Sequence, residues 1–241
     1  LQVIASHTDE HSLYSQFVTN MQSRWSVEDE GEVTDLLGVE FVRKNDEITL
    51  TQTAYIEKMV GFYCPDGVPN LMQANGTPCD RDILQEVVDG LADETPRDPQ
   101  DTRAFQSIVG ALLYCATQTR PDVAYAVGML CRCMARVTPA LMASAHRVLH
   151  YLYVTRELGL RYVASDRPLY GMSDADWAER HSTMGYIFLM HSAAISWSSK
   201  KQASVALSTC EAEIVAASEA CKEVVHVGGL TGELGEHDGS P

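Results

Sequence analysis

The chain has 241 residues, 45% of them hydrophobic, and a formal net charge of −15. That is enough for one or two domains with a buried core, and no apolar run approaches the ~20 residues a membrane-spanning helix needs. So negative a total argues against nucleic-acid binding if taken whole, and seven cysteines without a C-x-x-C pair read as reduced thiols of a cytosolic or nuclear protein, not a disulfide framework or a zinc site.

In chain order, Leu1 to Ser6 reads as a short apolar strand, with neither a basic leader nor a Met before it, as expected of a piece of something longer. Thr8 or Asp9 can cap a helix running to about Arg24, with Leu13, Phe17 and Met21 along one stripe. Leu36 to Val42 and Ile48 to Leu50 flank the polar turn Lys44-Asn45-Asp46 and predict a hairpin. A helical period resumes over residues 52–62. From Cys64 to Gln100 prolines, glycines and acids dominate, so that stretch reads as a linker with one short helix near Ile83 to Val88. Helices are expected over 102–117, 121–136 and 139–155, the last two opening on Pro121 and Pro139, where a first-turn proline is tolerated. Strands follow at 161–163 and 169–177, then a hairpin of 185–191 with 194–198, then a helix from about Ser208 to Val227.

Charge is unevenly spread. Residues 28–47 and 80–101 are acidic, whereas 103–167 carry eight arginines against Asp122, Glu157 and Asp166. A local excess of arginine suits a surface that tracks phosphates, although any single arginine more often lies on a solvated helix face.

The chemistry-bearing residues lie late in the chain. Asp174 and Asp176 share one face of a strand if it persists that far, whereas Glu211 and Glu213, two apart on a helix, point roughly 200° from each other. Alone, the first pair would be a strand-end turn and the second an acid-rich first turn. Trp177, Ser182-Thr183-Met184-Gly185-Tyr186, Ile195-Ser196-Trp197-Ser198-Ser199-Lys200-Lys201-Gln202 and Ser208-Thr209-Cys210-Glu211-Ala212-Glu213 follow Asp174 in an order that joins the carboxylates into one reading.

These four blocks resemble the ribonuclease H region of copia-type retrotransposon Pol polyproteins. The front half is similar as well, through Asp35 to Glu40, Thr51 to Ile56, Gly110 to Tyr114, Thr119 to Ala124 and Arg147 to Leu152. The resemblance implies an α+β chain: the last palm strand and helix of a reverse transcriptase and the start of its thumb (1–63), an acidic linker (64–101), helical thumb or connection (102–160), and an incomplete ribonuclease-H-like domain of three antiparallel strands plus a helix (161–241). It implies RNA-directed DNA synthesis and cleavage of RNA in RNA–DNA hybrids by the intact polyprotein, on two Mg²⁺ ions ~4 Å apart held by carboxylates. Asp174 would be the strand ligand and Glu213 the helix ligand, with Glu211 as competitor and Asp176 as a further lining residue. Arg120, Arg132, Arg136, Arg147, Lys200 and Lys201 would touch nucleic-acid phosphate. Partners would be the hybrid, an RNA template, a DNA primer and the rest of the polyprotein, with no small-molecule cofactor and no membrane, in a cytoplasmic particle or the nucleus.

In the family the polymerase aspartates precede a sequence like Leu1 to Ile4, and the third carboxylate follows the helix, where this chain has only Asp238 in a glycine-rich tail. Both metal sites are therefore expected to be incomplete and the chain inactive alone. Residues 178–181 form a shorter loop than the family's, and Gly228-Gly229 stands where helix formers are usual. A non-catalytic, nucleic-acid-binding remnant is the alternative, and a nucleotide-sugar transferase built on Asp174-Ala175-Asp176 ranks below it.

Overall fold

A computed structural model of the chain describes residues 11–29, 31–67, 76–80, 82–165, 167–177 and 182–233. The expected first strand, the 178–181 loop and Asp238 lie outside the described residues. The described chain opens on helix α1 (His11–Gln22), then strands β1 (Asp35–Leu36), β2 (Val39–Lys44) and β3 (Glu47–Thr51). Asn45 takes a left-handed φ of 51° in the two-residue β2–β3 turn, a conformation asparagine tolerates. The Glu40 carboxylate, carried on β2, accepts from the N–H groups of Thr53 at 3.0 Å and Ala54 at 3.4 Å. It thereby caps helix α2 (Thr53–Tyr63), whose own preceding residue, Gln52, gives no side-chain cap.

The region expected to be a linker is part of the core. Helix α3 (Ile83–Ala92) buries Ile83 and Val87 to 2% exposure. It is tied to its neighbours by Glu86 accepting from Ser144 Oγ at 2.6 Å and by Asp80, just before it, pairing with Arg147. Its Gly90 leaves room for Leu141, whose Cδ1 a Cβ would meet at 2.8 Å. The acids and prolines that suggested a linker cluster at its ends, while only a few apolar positions make its buried stripe.

Helix α4 (Pro99–Gln118) begins where Asp98 Oδ1 accepts from Gln100 N–H at 2.7 Å. The predicted helix over 121–136 is a 3₁₀ turn (Pro121–Val123) leading into the short helix α5 (Ala124–Cys131). Helix α6 (Pro139–Val154) is capped by Thr138 Oγ1, which accepts from Leu141 N–H at 3.2 Å. Phe105, Ile108, Leu112, Val123, Leu130, Leu141, Val148 and Leu152 from these elements, with Ile56 of α2, form one dry cluster.

Strand β4 (Leu160–Val163), expected to open the second domain, instead pairs with β3 and completes an antiparallel sheet in the order β1-β2-β3-β4. Gly159 makes this possible: a Cβ there would lie 2.0 Å from the Leu50 carbonyl oxygen. The apolar face of this sheet, through Leu50, Leu160 and Tyr162, meets Ala193, Ala194, Ile187 and Trp197 of the second sheet. That three-stranded antiparallel sheet is ordered β5 (Tyr170–Asp176), β6 (Thr183–Met190), β7 (Ala193–Lys201), with β5 at an edge. Helix α7 (Thr209–Glu233) lies across it and runs straight through Gly228-Gly229, past the expected stop at Val227. All seven cysteines are free thiols.

Candidate functional site

The pairing register decides which way each strand residue faces. Asp174 is opposite Gly185, which is opposite Ser199; Asp176 is opposite Thr183, which is opposite Lys201. The alternate row, Ala175, Met184 and Lys200, faces α7, as shown by Lys200 Nζ on Glu219 Oε2 at 3.0 Å and Ser196 Oγ donating to Glu223 Oε1 at 2.6 Å. Asp174 and Asp176 therefore stand on the sheet face away from α7, on an edge strand, and both are exposed.

The two glutamates of α7 have different jobs. Ser208 Oγ accepts from Glu211 N–H at 3.1 Å, and the Glu211 carboxylate reaches back to accept from Leu207 N–H at 2.7 Å. This reciprocal arrangement is like a capping box shifted by one residue, the carboxylate taking the N–H of the residue before the cap, and it satisfies donors at the helix start. Glu211 is thus committed to the cap, while Glu213 is exposed and has no hydrogen bond or ion pair among the described residues. The start of α7 is fixed to the sheet by Gln202 Nε2 donating to Ala212 O at 2.8 Å and Trp177 Nε1 donating to Ala206 O at 3.0 Å. Spacing alone gives no hint of either anchor.

Asp174, Asp176 and Glu213 offer hard oxygen donors, the chemistry that suits Mg²⁺. Among the described residues no three His, Cys, Asp or Glu side chains come together as a metal-holding group, and the two aspartates stand on the sheet face away from α7, which carries Glu213, so the donor type fits but the described residues do not assemble the set.

The basic candidates divide more sharply. Arg120 is 1% exposed: its Nε and Nη2 hold Asp122 at 2.9 and 2.7 Å, and Nη1 donates to Thr155 O at 3.1 Å. Arg147, 5% exposed, pairs with Asp80. Both are structural pins out of reach of a phosphate, which corrects the expectation for them; a local excess of arginine does not show which ones are already paired. Lys200 is engaged with Glu219 on the α7 face. Arg136 is exposed, with Nη1 donating to Asp93 O at 3.1 Å, and Lys201 is exposed with no partner among the described residues.

Arg132, half-buried at the end of α5, donates from Nη2 to Thr183 Oγ1 at 3.0 Å. Tyr125, on the same helix, has its phenol pushed up from the ordinary range, chiefly by burial and further by the nearby charge of Asp176, with Arg132 pulling the other way. Tyr125, Arg132, Thr183 and Asp176 thus form one neighbourhood where α5 meets the second sheet.

An open cleft of ≈ 720 Å³, lined by Arg97, Arg103 and Arg136 with Asp93 and Glu94, lies elsewhere on the helical part and includes none of the three carboxylates. Asp93 pairs with Arg97 there, and the hydrogen bonds to Thr95 and Arg97 hold its carboxyl well below the usual range.

No protein-family model matches the chain, and no solved structure does. Among curated proteins, it is 34% identical over 221 residues to the transposon Ty5-1 protein of Saccharomyces cerevisiae, covering 88% of this chain and 68% of that one. It is 32% identical over 235 residues to the retrovirus-related Pol polyprotein from transposon TNT 1-94 of Nicotiana tabacum, a match that takes in 93% of this chain but only 17% of the polyprotein. A secreted RxLR effector protein of Plasmopara viticola is 44% identical over 126 residues, half of this chain and 89% of that protein. On the yeast and tobacco relatives, the chain belongs to the copia-type family of retrotransposon Pol polyproteins.

Proposed function

We propose that this chain is the part of a Pol polyprotein that joins the end of the reverse transcriptase to the start of ribonuclease H. In the intact polyprotein it would serve RNA-directed DNA synthesis and the cleavage of RNA in RNA–DNA hybrids. The observation that carries this reading is the three-stranded sheet and helix with Asp174 exposed on an edge strand and Glu213 left uncommitted while its neighbour Glu211 caps the helix. Asp174, with Asp176 on the same sheet face, and Glu213 of α7 are the donors this reading calls on for Mg²⁺, together with a further carboxylate supplied from outside the described residues. Bound there, the metal would lower the pKa of water and stabilise the leaving oxygen. The chain's own residues orient the donors: Gln202 and Trp177 fix the start of α7, and the register of β5 fixes Asp174.

Hybrid cleavage is expected of the polyprotein, not of these 241 residues. The test is hydrolysis of a labelled RNA–DNA hybrid in Mg²⁺ by this chain, by a version extended through the next ~100 residues of its reading frame, about one small domain, and by Asp174→Asn in that extension. Cleavage by the extended protein, lost in Asp174→Asn, supports the reading. A second reading, a non-catalytic remnant that binds nucleic acid, draws on the Plasmopara relative, in which half of this chain matches most of a protein. Hybrid binding without cleavage by a folded extended protein would select it. The expected place of work is a cytoplasmic particle or the nucleus; among the described residues no helix is long and apolar enough to cross a membrane.

A further inference from the structure

Five arginines among the described residues are buried or half-buried: Arg97, Arg120, Arg132, Arg147 and Arg156. Four of them pair with a carboxylate, on Asp93, Asp122, Asp80 and Glu57. Arg132 does not. Its one hydrogen bond among those residues goes to the neutral hydroxyl of Thr183. In a chain of net charge −15 counterions are plentiful, and holding a guanidinium partly out of water without one costs stability. Desolvation also pulls the Arg132 pKa down from its ordinary value.

The position of this unpaired charge is specific. Thr183 sits directly beside Asp176 in the β5–β6 register and directly beside Lys201 in the β6–β7 register. Asp176, Thr183 and Lys201 thus form a row across the sheet on the face away from α7, with Asp174 in the next row and Arg132 reaching in from the helical part. Two aspartates on a nucleic-acid path repel phosphate. A planar guanidinium offering several unused N–H groups is suited to grip a phosphodiester by paired hydrogen bonds.

We infer that Arg132 is a phosphate-binding residue of the carboxylate face: it holds a backbone phosphate of an RNA–DNA hybrid beside Asp174 and Asp176, with Thr183 positioning its guanidinium. The inference rests on the hybrid-cleaving reading above. It also assigns a task to the helical part, which contributes a substrate contact to a face whose aspartates lie on the second sheet.

The test uses the 241-residue chain with a labelled RNA–DNA hybrid in Mg²⁺, measuring affinity by fluorescence anisotropy over a salt series, and melting temperature alongside. Arg132→Met should weaken binding about tenfold, the range of one charged hydrogen-bonded contact. It should also flatten the dependence of log K on log salt by about one phosphate's worth. Its melting temperature should stay level or rise, because an unpaired charge has been removed. Arg132→Lys should restore the salt slope but not the affinity, and Arg161→Gln, on the other sheet, should change neither. A lower melting temperature in Arg132→Met would make Arg132 a structural pin and overturn the inference. An unchanged slope, with hybrid still bound by the wild-type chain, would overturn it while leaving the hybrid-cleaving reading intact. Failure of the wild-type chain to bind hybrid at all would overturn the inference, while cleavage by the extended protein decides the hybrid-cleaving reading itself.

Discussion

Replacing Ser208 and Glu211 separately by alanine separates the helix cap from the metal-ligand candidate. Ser208 accepts from the Glu211 N–H and Glu211 accepts from the Leu207 N–H, so each substitution orphans one donor at the start of α7. Losing such a cap costs about 1 kcal/mol, and in a chain of this size about 1 kcal/mol moves the melting temperature by roughly 2–4 °C. The two residues serve one cap, so Ser208→Ala with Glu211→Ala together should cost less than the sum of the singles. Glu213 has no partner among the described residues, so Glu213→Gln should leave melting within about 1 °C, well under the cap's effect. Hydrolysis of hybrid by the extended protein should behave in the opposite way: nearly retained in Glu211→Ala and lost in Glu213→Gln. Far-ultraviolet circular dichroism follows the melt, and a labelled hybrid follows the cleavage. Unchanged melting in Glu211→Ala combined with lost cleavage would reverse the roles of the two glutamates and refute the reasoning.

Two further substitutions test the fold that carries the site. Gly159→Ala drives a Cβ to within 2.0 Å of the Leu50 carbonyl; the backbone there has no flexible side chain to yield, so the β3–β4 pairing should open at a cost of about 1–3 kcal/mol or more, read as a lower melting temperature and faster amide exchange at Leu160 and Tyr162. Ser192→Gly should stabilise. Ser192 and His191 turn the β6–β7 hairpin with φ of 70° and 50°, a two-residue turn that favours glycine, and relieving Ser192 should gain about 0.5–1 kcal/mol net of the glycine's extra unfolded-state freedom, seen as a small rise in melting temperature.

Local signals made much of this chain legible. Pro139 stands at a first turn behind Thr138, which caps as side-chain chemistry dictates, and the β5–β6–β7 meander follows from short runs separated by turn residues, whereas the start of α4 at Pro99 behind Asp98 lay inside the stretch expected to be a linker. What stayed hidden depended on distant partners. Strand β4 has the same alternating pattern whether it joins the sheet before it or after it; Gly159 and the Tyr162 hydroxyl on Ala194 O at 2.7 Å place it between the two. Helix α3 looked like a linker because ten residues show barely three turns of period, and its buried stripe needs α5 and α6 to cover it. The site divided in the same way. Asp174 and Glu213 are named by the resemblance and stay a proposal, whereas the commitment of Glu211 to a cap became visible only with the helix start in place.

The arginines show most clearly how burial changes a charge argument. Eight arginines over residues 103–167 looked like a broad phosphate track. Arg120, Arg147, Arg156 and Arg161 each hold a carboxylate, and the first two are buried besides. Arg103, Arg132, Arg136 and Arg167 remain, joined by Lys201 on the carboxylate face. At roughly 0.9 in log–log slope per phosphate neutralised on a duplex, these five groups would add at most about four to five to the salt dependence of hybrid binding, even if all of them touched phosphate at once. A net charge of −15 pushes the same way, because long-range attraction to the backbone is weak and contact has to be made locally. On the proposed reading, any grip on a hybrid would have to come from placed cations, and Arg132 is the one whose position near Asp176 would let it serve the chemistry as well as the grip.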